Sequence, residues 1–72
     1  MSVSALSAKE LVMLGCNLTI TKDANFSALS VKEIITLSKN KGSHITIHAE
    51  GYSALTLKEF TMLAQGRLTI VV

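Results

Sequence analysis

The sequence predicts an α/β domain of three helix–strand repeats. Short helices cover one face of a small sheet whose long strands run parallel, as in a short solenoid. Three observations predict this. The segment Ser4–Leu11 recurs as Ser27–Ile34 and Ser53–Phe60, with Ala-Leu and Lys-Glu at the same places in each copy. Each copy then reaches a leucine: Leu14, Leu37 or Leu63. Each closes on an apolar-Thr-Ile triplet: Leu18-Thr19-Ile20, Ile45-Thr46-Ile47 and Leu68-Thr69-Ile70. The 72 residues make one small domain, divided at about 3–24, 26–50 and 52–72.

The helices come first in each repeat. Ser7, Ser30 and Thr56 stand three residues before Glu10, Glu33 and Glu59. That spacing suits a capping box, in which the hydroxyl takes the N3 amide and the glutamate returns to the cap amide. Leu6, Leu29 and Leu55 precede these caps, and Leu11, Ile34 and Phe60 stand at N4, as in a hydrophobic staple. The predicted helices are Ala8–Leu14, Val31–Lys39 and Leu57–Gln65. Gly15, Gly42 and Gly66 follow near their ends, where a left-handed residue is wanted.

The strands follow. Leu18–Thr21, His44–His48 and Leu68–Val72 alternate or are β-branched. Leu18, Ile20, Ile45, Ile47, Leu68 and Ile70 should face the helices. Thr19, Thr46 and Thr69 should face away, with His44 and His48 beside Thr46. Lys22–Asn25 and Ala49–Gly51 read as turns, and Phe26–Ala28 and Tyr52–Ala54 as short extra strands.

Composition narrows the function. Apolar residues are 49% of the chain and charged residues 17%, so it is not a disordered tail. A net charge of +2 is too small a bias to imply nucleic acid by itself. The single cysteine, Cys16, excludes an internal disulfide and a multi-cysteine metal site, and reads as a half-buried thiol beside a helix end. Met1-Ser2-Val3-Ser4 carries no basic segment before an apolar run, so no signal peptide is expected, and no apolar stretch is long enough for a bilayer. A reducing, cytoplasmic setting is the expectation.

The central repeat carries a resemblance. Ser27–Leu37, with Gly42 and Ile45–Gly51, resembles the phosphocarrier protein HPr of the bacterial sugar phosphotransferase system over its second helix and the following strand. Lys9–Asn25 is similar, less closely, to that family's first helix and second strand. The resemblance implies an alternative fold, an α+β open-faced sandwich. It also implies a regulatory role for Ser30 and a phosphotransferase protein as partner. The family's phosphoryl-carrying histidine segment, of the type Gly-Leu-His-Ala-Arg-Pro, has no counterpart before the first helix here, and Leu68–Val72 has none at that end of the family. Such a relative would bind without carrying phosphate. Read from the repeats instead, Ser30 is a helix cap like Ser7 and Thr56.

The residues that could carry chemistry are few. His44 and His48 lie four residues apart on a strand, about 13 Å, too far for one metal. Glu10, Glu33 and Glu59 belong to capping boxes, and Asp23 and Glu50 to turns, so no close carboxylate pair forms. No glycine-rich phosphate loop or nucleophile elbow is present. Lys39, Lys41 and His44 form a small basic cluster suited to an anion, and a small nucleic-acid binder is a further alternative that rests on it.

These observations give an expected function: a non-enzymatic interaction or structural module, with no cofactor, no metal and no membrane contact. Leu68, Ile70, Val71 and Val72 form an apolar edge strand without proline or an inward charge. A homodimer pairing two such edges across a twofold axis is the expected assembly.

Overall fold

The computed structural model describes residues 3–72 and contains the predicted architecture. In chain order its elements are α1 (Ala5–Met13), β1 (Leu18–Ile20), a 3-10 turn over Lys22–Ala24, α2 (Ala28–Lys41), β2 (Ile45–His48), α3 (Ala54–Ala64) and β3 (Leu68–Val71). The strands form one parallel sheet in the order β1-β2-β3. Its register aligns the repeats residue for residue: Leu18 with Ile45 and Leu68, Thr19 with Thr46 and Thr69, Ile20 with Ile47 and Ile70. Of the two expected arrangements, the stacked repeat is the one present.

The core lies between sheet and helices. Val12, Val31, Ile34, Ile35, Ile45, Ile47 and Phe60 are fully buried. The middle repeat supplies most of them because it alone has a neighbour on each side: α2 packs on both α1 and α3, and β2 pairs on both edges. Burying each such side chain contributes about 1.5–3 kcal/mol. Ile45 and Ile47 are buried while Thr46 and His48 are half-exposed, the period of two expected for a sheet covered on one face. Parallel sheets are usually covered on both faces. Here Thr19 and Thr69 stand exposed on the far side.

The helix starts differ from expectation. The N-caps are Ser4, Ser27 and Ser53, three residues before Ser7, Ser30 and Thr56. Each cap hydroxyl accepts the N3 amide, Ser7 at 3.1 Å, Ser30 at 3.2 Å and Thr56 at 3.2 Å. The N3 hydroxyls, rather than glutamates, complete the caps: Ser4 Oγ donates to Ser7 Oγ at 3.2 Å, Ser27 Oγ to Ser30 Oγ at 3.2 Å and Ser53 Oγ to Thr56 Oγ1 at 3.0 Å. Either serine could cap. The earlier start adds a turn of backbone hydrogen bonds through Ala-Leu, both good helix formers. The proposed staples are therefore absent: Leu6, Leu29 and Leu55 fall at N2 and stay exposed. Phe26–Ala28 and Tyr52–Ala54 are helix entries, not strands.

At its other end α2 runs to Lys41, two residues past the expected Lys39, and Gly42 caps it with φ of +74°, the left-handed residue expected there. Ser43 N–H returns to the Ser38 carbonyl at 2.9 Å, closing a Schellman turn. In α3 the cap is Gln65, with φ of +51°, so the left-handed turn there begins one residue before Gly66.

Candidate functional site

The candidate surface is built from the stacking of one repeat on the next. Inside the stack, each junction is closed by side chains as well as by strands. Lys9 pairs with Glu33, and Lys32 Nζ lies 3.2 Å from Glu59 Oε1. The lysine of one repeat thus reaches the glutamate of the following one. On the turns, Lys22 Nζ lies 3.3 Å from Glu50 Oε2. Tyr52 Oη donates to the Phe26 carbonyl at 2.8 Å, and its ring meets Phe60 edge-on at 5.4 Å. Burial raises the Tyr52 hydroxyl above the ordinary tyrosine range. At the helix–strand loops, Asn17 Oδ1 accepts the His44 amide at 2.8 Å, and Arg67 Nη1 donates to the Gly42 carbonyl at 3.0 Å.

Among the described residues, no strand pairs with the outer edge of β1 or of β3. β1 and β3 are the two sheet edges. On β3, Leu68 and Ile70 are half-buried toward the helices, while Val71 is 42% exposed and Val72 fully so. All four residues expected to form an interaction edge therefore lie on one outer strand or directly after it. A groove beside that strand is lined by Leu57, Lys58, Thr61, Met62 and Ile70. At the opposite end, Val3, Ala8 and Leu18–Thr21 line a second groove with Asp23, Ala24 and Phe26.

The other sequence candidates lie outside β3. Lys39 and Lys41 occupy the last turn of α2, where cations favour the carbonyl end of the helix. His44 lies beyond that turn, and its Nε2 is 2.7 Å from Thr69 Oγ1 on the open face. The His44 ring is thus engaged across the sheet. Ser30 is the N3 residue of α2, not its cap. Cys16 is exposed rather than half-buried, with Sγ donating to the Asn17 carbonyl at 3.3 Å. Among the described residues, no three His, Cys, Asp or Glu side chains converge as a metal site, and no helix is long and apolar enough to cross a membrane.

The lysine–glutamate ladder was not among the expectations. Its signal was the Lys-Glu dipeptide repeated at Lys9-Glu10, Lys32-Glu33 and Lys58-Glu59. Read as capping partners within their own helices, Glu33 and Glu59 give no sign of their reach to the preceding one. Compared with known proteins, the chain matches no family model, no curated protein and no solved structure.

Proposed function

We propose that this chain is a non-enzymatic interaction module that associates with copies of itself through the outer edge of β3. The observation that carries the reading is the pairing of β3 on one side only. Its outer amides and carbonyls meet no strand among the described residues, and Val71 and Val72 extend apolar surface beside them. Such an edge templates another strand unless charge, proline or a bulge blunts it. A domain this small buries only about 60% of its unfolded surface, so added burial at an edge has a large relative effect. The lone thiol fits a reducing, cytoplasmic compartment.

Sedimentation equilibrium tests the reading. The native chain should exceed its monomer mass at high micromolar concentration. Val71→Lys combined with Val72→Asp should return it toward monomer with helix content unchanged by circular dichroism. A native chain that stays monomeric at high micromolar concentration overturns the proposal.

A further inference from the structure

The two ends of the stack carry the positions that meet at its internal junctions, with Thr61 in place of Val12 and Ile35. We infer that the chains join head to tail, the α3–β3 end of one copy seating on the α1–β1 end of the next. This rests on the self-association proposed above and gives its geometry.

The internal junctions define the rule. At the first, α1 packs on α2 and Lys9 pairs with Glu33, with Ala8, Val12 and Ile34 in the shared core. At the second, α2 packs on α3 and Lys32 pairs with Glu59, with Val31, Ile35 and Phe60 at the equivalent positions in that core. Those apolar residues are all buried. Among the described residues, the same positions recur on α1 and α3 with no further helix against them. On α3 the giving face is Leu57, Lys58 and Thr61, with Lys58 exposed. On α1 the receiving face is Glu10 and Leu11. Leu11 is 38% exposed, whereas its equivalents Ile34 and Phe60 are 0% exposed. Leu14 is 85% exposed, whereas Leu37 and Leu63, at the same place in the later repeats, pack against the core.

Charge decides which ends meet. Among the described residues, Glu10 and Lys58 are the two members of the repeated Lys-Glu pairs with no partner. They have opposite sign and lie at opposite ends. Continuing the ladder by one rung sets Lys58 against Glu10 of the following copy. It also sets β3 beside β1 in the parallel register already used twice, Leu68 by Leu18 and Ile70 by Ile20. Twofold pairing of β3 with β3 would instead leave Glu10, Leu11 and the β1 edge uncovered. A head-to-tail contact is heterologous, so it grows into a ring or a filament rather than stopping at a dimer.

Charge reversal in mixtures tests this. Glu10→Lys alone sets lysine against Lys58 at every contact, and Lys58→Glu alone sets glutamate against Glu10. Each variant alone should associate about five- to thirtyfold more weakly than the native chain. Mixed in equal amounts they should assemble again, because every contact between unlike chains is then a lysine–glutamate pair. Circular dichroism confirms the fold of each, and Glu10→Gln gives a neutral control with an intermediate loss. If Glu10→Lys associates as the native chain does and assembly saturates at a dimer, head-to-tail joining is wrong while self-association stands. If single variants weaken but the mixture does not recover, the inference also fails. A native chain that is monomeric throughout removes both claims.

Discussion

Lys32 Nζ on α2 and Glu59 Oε1 on α3 lie 3.2 Å apart, one repeat separated from the next. The same two positions, Lys9 and Glu33, meet between α1 and α2. Paired side chains that recur with the repeat make each junction a copy of the last. A double-mutant cycle of Lys32→Ala and Glu59→Ala should therefore give a coupling of about 0.2–1 kcal/mol, lost at high salt because both groups are partly exposed. No coupling at low salt would remove the ladder's contribution to the stack.

Helix capping offers a sharper comparison. Ser27 caps α2, and Ser30 follows at N3. Ser27→Ala should destabilise the chain by about 0.5–2 kcal/mol in urea titration. Ser30→Ala leaves its backbone N–H on Ser27 Oγ and removes only an exposed hydroxyl contact, so its effect should stay near 0.5 kcal/mol or less. The reverse order of the two losses would return the helix start to Ser30.

Much of this fold was legible because the repeats carry the same information three times. The apolar-Thr-Ile triplets placed each strand and the face it buries, and the parallel register followed from their equivalence. The exact helix starts were less legible. Ser4 and Ser7 are both competent caps, and so are the pairs Ser27/Ser30 and Ser53/Thr56. Local sequence cannot weigh one added helical turn against a glutamate three residues beyond a hydroxyl. Once the starts move, Glu33 and Glu59 leave the capping box and face the preceding helix. Their partners are fixed by tertiary stacking, which is why the ladder was hidden although its dipeptides were in view. The exposure of Cys16 is likewise set by the turn after the helix: α1 ends at Met13, and the loop carries the thiol outward.

Gly42 isolates a backbone effect. Its φ of +74° lies in the left-handed region, and a Cβ added there would meet nothing within 4 Å. Gly42→Ala should therefore cost about 1–2 kcal/mol through conformation alone. Thermal or urea unfolding of the variant checks this, and a neutral result would mean that α2 ends in some other turn.

Tyr52 gives the chain an alkaline limit. Burial raises its hydroxyl above the ordinary range, so the folded state keeps the proton at a pH where the unfolded chain releases it. The associated stability is whole below the unfolded value of about 10 and falls as pH rises from there through the folded value. Tyr52→Phe should lose about 0.5–1.5 kcal/mol at neutral pH with the bond to the Phe26 carbonyl. The variant should also decline less steeply than the native chain above pH of about 10. Equal alkaline slopes for the two proteins would contradict this placement of the hydroxyl.

The central claim is that the ends of the stack mate as its internal repeats do. The most direct measurement is an isotope-filtered nuclear Overhauser experiment on an equal mixture of labelled and unlabelled chains. The account predicts contacts between chains from Leu68 to Leu18 and from Ile70 to Ile20, in the register of β2 and β3. Contacts between chains that join Ile70 only to residues of another β3, with none to Leu18 or Ile20, would contradict it.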